Sequence, residues 1–101
     1  MTARQLLEEL HPGRTILEDV VKPLGMSVNA LAKELRVPAT RLNDIVRGRR
    51  GVTADTALRL SRYLGTSAQF WLNLQSIYDL RVAEHGSGRV IQRQVHPRKA
   101  A

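Results

Sequence analysis

Residues 27–48 constrain this chain more than any other stretch, because they carry two short amphipathic helical patterns joined by a tight turn. In the first, Val28, Leu31, Ala32 and Leu35 recur at i, i+3, i+4 and i+7, one apolar stripe at helical period. In the second, Leu42, Ile45 and Val46 form the side to be buried. Steps of about 100° per residue put Thr40, Asn43, Asp44 and Arg47 opposite that side, with Arg41 flanking. Gly48, Arg49 and Arg50 follow at once. A short polar helix face beside clustered arginines suits entry into a DNA major groove, so the pattern predicts a helix-turn-helix.

Charge points the same way. The 101 residues carry a net charge of +7, and it is unevenly placed. Between Arg36 and Arg62 seven arginines (36, 41, 47, 49, 50, 59 and 62) face only Asp44 and Asp55. Such a block favours a polyanion; the bland alternative is a solvated basic surface, which leaves the helical pattern unexplained. Tyr63, Phe70, Trp71 and Tyr78 are not interleaved with the basic residues, which argues against a single-strand stacking platform. With no cysteine there is neither a disulfide nor a thiolate metal site. No apolar run approaches the ~18 residues of a membrane span, so a soluble cytoplasmic protein of one domain is expected. A core this small would gain from an oligomer interface.

Along the chain, residues 1–10 read as an N-terminal extension or short helix, in which Thr2 and Gln5 have capping-box spacing. His11-Pro12-Gly13 breaks it, and Pro12 opens a helix carrying Ile16, Leu17, Val20 and Val21 that stops near Lys22-Pro23-Leu24-Gly25. Ser27 caps the next helix, Pro38 sits in the turn, and Gly48 ends the second helix of the motif. Thr53 caps a helix with Ala57, Leu60 and Leu64 inward, closed by Gly65. Ser67 caps a last helix over about 68–84. There Phe70, Trp71, Leu74, Ile77, Tyr78, Leu80 and Val82 spread over an arc of about 200°, wider than the ~100° one face needs. Trp71 is expected in the core, and the surplus predicts a twofold partner, a homodimer seamed by Phe70, Leu74, Ile77, Tyr78 and Leu80. His85-Gly86-Ser87-Gly88 reads as a linker. Beyond it, Arg89 to Val95 is compatible with a strand and His96 to Ala101 with a loose end, so residues 85–101 form a linker and basic tail.

Several of these motifs together resemble a known family. His11-Pro12-Gly13, Pro23-Leu24-Gly25, Val37-Pro38, Ile45-Val46-Arg47-Gly48, residues 53–60, residues 70–75 and Tyr78-Asp79-Leu80 are similar to the HigA (VapI-like) antitoxins of the XRE helix-turn-helix superfamily. The resemblance runs from about His11 to Val82, and the Trp-bearing segment with Tyr78-Asp79-Leu80 is its specific part. It implies an all-α, five-helix, lambda-repressor-like helix-turn-helix domain over residues 11–84, and a dimer. It also implies two jobs: neutralising a HigB-like toxin, similar to RelE-type mRNA-cleaving enzymes, and repressing the shared operon from a pseudo-palindromic operator.

Carried over by residue, the resemblance makes Ala39 to Arg47 the recognition helix, with Thr40, Arg41 and Asp44 at base-contacting positions and Pro38 at the turn. Asn43 and Arg47 share that face, Ser27 and Asn29 match a phosphate-binding helix start, and Arg49, followed by Arg50, suits a phosphate. Two departures stand out. Asp44 is acidic, so it either accepts from a cytosine N4 or orients Arg41 or Arg47. Pro38 lacks the capping hydroxyl usual there.

An enzyme is not expected. His11, His85 and His96 lack metal-ligand spacing, no nucleophile–base pair or glycine-rich phosphate loop is present, and no HExxH motif occurs. No cofactor, metal or small-molecule substrate is therefore anticipated. The acidic pairs Glu8-Glu9 and Glu18-Asp19 read as solvated helix faces. The competing reading is a stand-alone XRE-family dimeric repressor without a toxin partner, which would share every feature up to Leu64. A pure protein-interaction module would leave the arginine cluster unexplained. The sequence leaves the toxin-docking surface unassigned.

Overall fold

The computed structural model describes residues 1–99, which form six helices and no strand. They are α1 (Ala3–Leu10), α2 (residues 12–24), α3 (Val28–Leu35), α4 (Ala39–Val46), α5 (Ala54–Leu64) and α6 (Ala68–Gln94). Most starts are set by a side chain. In α1 the capping box closes in both directions: Gln5 N–H donates to Thr2 Oγ1 at 3.2 Å, and Thr2 N–H to Gln5 Oε1 at 2.7 Å. Ser27, Thr53 and Ser67 accept in the same way from Ala30, Thr56 and Phe70. All three of those caps stand where the sequence put them.

Helix α2 contains an irregularity that the sequence did not announce. Its first turn (Pro12–Thr15) and last turn (Lys22–Leu24) are α-helical, but Ile16–Val21 is π-helical, and the Lys22 N–H reaches back to Leu17 O. The wider turn keeps Ile16, Val20 and Val21 all buried. It also shifts the hydrogen-bond ladder just ahead of Pro23, which has no N–H to give. Gly25, at φ 64°, then closes the helix, with Gly25 N–H on Lys22 O and Met26 N–H on Val21 O.

The core is assembled from every helix except α1. Ile16, Val20 and Val21 meet Leu31, Ala32 and Leu35 of α3, Leu42 and Ile45 of α4, Ala57 and Leu60 of α5, and Trp71 of α6; Val37 and Val52 fill in from the loops. Trp71 is buried, as expected, and its indole N–H donates to Thr66 Oγ1 at 2.8 Å, which removes the cost of an unpaired polar group in the core.

The chain end departs from the sequence reading. Residues 85–88 are not a linker and 89–95 not a strand: α6 runs unbroken from Ala68 to Gln94. Gly86 and Gly88 stay in ordinary helical geometry, since the positive-φ glycines among the described residues are Gly25, Gly48 and Gly65. Glycine weakens a helix by up to about 1 kcal/mol, but it stops one only where the chain must turn left-handed. Val90, Ile91 and Val95 suggest a strand by composition, yet residues 89–94 continue the helix, and Val95 N–H closes it on Ile91 O at 2.8 Å. Of the expected loose end, Ala100 and Ala101 lie outside the described residues.

Candidate nucleic-acid interface

The expected helix-turn-helix is α3–α4, and its turn is built without glycine. Arg36 takes the left-handed conformation (φ 59°), with Arg36 N–H on Lys33 O and Val37 N–H on Ala32 O. Arg36 stands in for glycine in a Schellman turn, and Val37 is buried beneath it. Pro38 then leads into α4 as an N-cap with no side-chain acceptor, so the first N–H groups of α4 are left without a side-chain partner. The end of α4 repeats the Schellman pattern at Gly48 (φ 75°): Gly48 N–H bonds Ile45 O, and Arg49 N–H bonds Asp44 O at 2.8 Å.

The site residues expected from the sequence divide into three groups. Ser27, Asn29, Pro38, Ala39, Thr40, Arg47, Arg49 and Arg50 are exposed: Ser27 and Asn29 at the start of α3, Pro38 in the turn, Ala39 and Thr40 in the first turn of α4, and the arginines at its end and in the loop that follows. Asn43 is half-buried and joins the motif internally: its Nδ2 donates to Asn29 Oδ1 at 2.8 Å and to Ala39 O at 2.9 Å. Arg41 and Asp44 are also half-buried. Arg41 does not reach Asp44; its Nη1 bonds Asp55 Oδ2 of α5 at 2.8 Å. Asp55 binds Arg59 Nε through the same oxygen at 2.9 Å, and Arg59 Nη1 donates to the carbonyls of Leu35 and Arg36. The hydrogen bonds from Arg59 and Arg41 hold the Asp55 carboxyl below the usual carboxylate range. Asp55 opens α5, where a negative charge also suits the helix dipole.

Three residues that the sequence reading gave no role in the site support this face from behind. Gln75 of α6 accepts the Val52 N–H on Oε1 at 2.7 Å, pinning the loop that carries Arg49 and Arg50. Its Nε2 donates to Asp79 Oδ1 at 2.9 Å. His11 is buried, its Nδ1 accepts the Gly13 N–H at 2.9 Å to cap α2, and its ring meets Tyr78 edge-on at 4.7 Å. Burial lowers the His11 pKa, while the Asp79 charge pulls it the other way. Gly13 lies directly on the last turn of α4: a Cβ there would collide with Ile45 O and stand 2.9 Å from Val46 Cα. A Gln four residues after a buried Trp is a legible signal for an inward polar side chain; the Gly13 contact has no sequence signature.

The expected dimer residues also separate. Phe70, Ile77 and Leu80 are exposed by 42%, 46% and 58%, on a side of α6 away from the core. Leu74 packs partly on the core, and Tyr78 covers His11. Among the described residues, no helix is long and apolar enough to cross a membrane, and no group of three or more His, Cys, Asp or Glu side chains could hold a metal ion.

Comparison with known proteins agrees with this architecture. The helix-turn-helix family model matches residues 17–71. Virulence-associated protein I of Dichelobacter nodosus is 57% identical over 75 residues, covering 74% of this chain and 69% of that protein. Among solved structures, an addiction module antidote protein of the HigA family from Coxiella burnetii superposes with a TM-score of 0.83 at 45% identity, over 87% of this chain and 96% of its own. The Pseudomonas aeruginosa antitoxin HigA with the higBA promoter gives a TM-score of 0.84 at 46% identity, over 86% and 95%. With its turn, its recognition helix and its Trp-bearing α6 all in place, this chain belongs to the helix-turn-helix family, among the HigA-like antitoxins.

Proposed function

We propose that this chain is the antitoxin of a type II toxin–antitoxin module, which binds and neutralises a RelE-like mRNA-cleaving toxin and, as a homodimer, represses its own operon. The observation that carries the DNA half is the exposed face of α4, bearing Thr40 and Arg47 and flanked by Arg49 and Arg50, in an architecture shared with an antitoxin solved on its promoter. Thr40, Arg41 and Asp44 read base edges; Arg47, Arg49, Arg50 and the helix starts at Ser27-Asn29 and Pro38-Ala39 engage phosphates, with Asn43 bracing the pair. Two copies meet along α6 through Phe70, Ile77 and Leu80, with Leu74 and Tyr78 beneath, and read half-sites about 10–10.5 base pairs apart or a multiple of this. The protein acts in the cytoplasm and carries out no catalysis; its DNA-binding residues all lie within the domain of residues 11–84.

The decisive experiment is a growth assay on the small open reading frame beside this gene, induced with and without this chain. Arrest that co-expression reverses, with co-purification of the two products, supports the antitoxin. No arrest, together with specific binding to its own promoter, leaves a plain dimeric repressor. On the DNA side, Arg49→Ala should weaken binding to all sequences alike and flatten the logarithmic salt dependence by about one unit. Thr40→Ala should instead change sequence preference; equal losses on operator and random DNA would remove it from the base-reading set.

A further inference from the structure

We infer that Asp55 is a positioning residue for operator recognition, which fixes the Arg41 guanidinium on the DNA face so that it reads a base edge instead of wandering to phosphates; this rests on the operator-binding reading above. Arg41 sits in the first turn of the recognition helix, yet its Nη1 is held at 2.8 Å by a carboxylate from another helix. Arginine has five N–H donors in a rigid planar fork. Asp55 engages Nη1, and no other hydrogen bond to the Arg41 guanidinium occurs among the described residues, so part of the fork remains for a base. A guanidinium so anchored loses less freedom on binding and presents a fixed pair of donors, the geometry that a guanine O6 and N7 require.

Asp55 is itself braced. Arg59 shares its Oδ2 at 2.9 Å and clamps the carbonyls of Leu35 and Arg36, which belong to the helix-turn-helix turn. One carboxylate thus joins the recognition helix and, through Arg59, the turn that aims it. Arg41, Arg59 and Arg50 also line one open hollow of about 450 Å³ together with Asp55. Without that carboxylate the same three cations would be an undirected phosphate trap.

The test is a double-mutant cycle on the full chain, reading dissociation constants for a fragment of its own promoter and for a scrambled fragment of equal length. Asp55→Asn keeps the shape and removes the charge, and Asp55 is more than half exposed, so the fold should persist. Its promoter-over-scrambled preference should fall roughly five- to tenfold, with scrambled binding unchanged or tighter. Arg41→Ala should lose the same preference, and the double variant should lose no more than Arg41→Ala alone. An Asp55→Asn protein with undiminished preference, or one that loses as much in the Arg41→Ala background, overturns the assignment. Equal weakening on both DNAs with a lowered melting temperature also overturns it, because it marks a structural role only. A wild-type chain with no promoter preference overturns the operator reading itself.

Discussion

Gly13→Ala should be the most informative single methyl group that can be added to this protein. In an unconstrained helix the change is favourable by about 0.5–1 kcal/mol. Here the new Cβ would press on Ile45 O, 2.8 Å from Ile45 C and 2.9 Å from Val46 Cα. An ordinary carbon–oxygen contact is about 3.3 Å or more, and every atom met is backbone, so no side chain can swing aside. Either the start of α2 lifts or the last turn of α4 moves, and that turn holds the Gly48 cap through Ile45 O. Overpacking of this kind costs about 1–3 kcal/mol, occasionally more. After the helix-propensity gain is subtracted, a net loss of about 2 kcal/mol remains at the upper end of that range. For a domain this size it corresponds to a drop of about 10 °C in melting temperature. The assay is thermal and urea unfolding followed by circular dichroism and by Trp71 fluorescence. Gly88→Ala serves as the control, because nothing lies within 4 Å of the position its Cβ would occupy. That variant should hold or gain stability. A Gly13→Ala protein as stable as Gly88→Ala would refute the reading of Gly13 as a contact glycine.

Other perturbations test the supporting network. Burial lowers the His11 pKa below the unfolded value of 6.5, against the pull of Asp79, and its Nδ1 acts as an acceptor, so its contribution is present above that value and lost as pH falls through the folded pKa. Unfolding free energy should therefore decline below about pH 6.5 with a slope of up to about 1.4 kcal/mol per unit, and His11→Asn, which retains a capping acceptor, should flatten this part of the profile. Thr66→Val strands the buried Trp71 N–H and should cost about 1–3 kcal/mol, read by denaturant midpoint with an unchanged slope. Gln75→Leu frees the Val52 N–H and should speed amide exchange in residues 49–53 while weakening promoter binding; protection equal to wild type would show that Gln75 does not hold the loop.

What the sequence made legible was whatever is local. The apolar stripes of α3 and α4, the hydroxyl caps at Thr2, Ser27, Thr53 and Ser67, and the left-handed Gly48 each depend on residues within a turn of one another, and each is where the spacing put it. Arg36 shows the limit: its left-handed φ is imposed by burying Val37 and by the two hydrogen bonds of the turn, so no glycine marks it. Arg41 shows another, since its partner lies fourteen residues away on a helix whose approach is set by the core. Residues 85–94 depart from their sequence pattern because Gly-Ser-Gly and β-branched residues describe preference, whereas a helix already seventeen residues long needs only one further hydrogen bond per residue to continue; His96 to Lys99 are irregular, as expected.

The π-turn in α2 gives the chain a place to vary in length. A helix that fits an extra residue into a widened turn keeps the same faces inward on either side of it, so Ile16 and Val21 remain in the core. Losing one residue between them would convert the turn to ordinary α geometry and leave everything beyond Lys22 where it is. Across relatives, alignments should therefore tolerate a one-residue gap here and none at Gly13, a few positions earlier, where even a methyl group meets backbone.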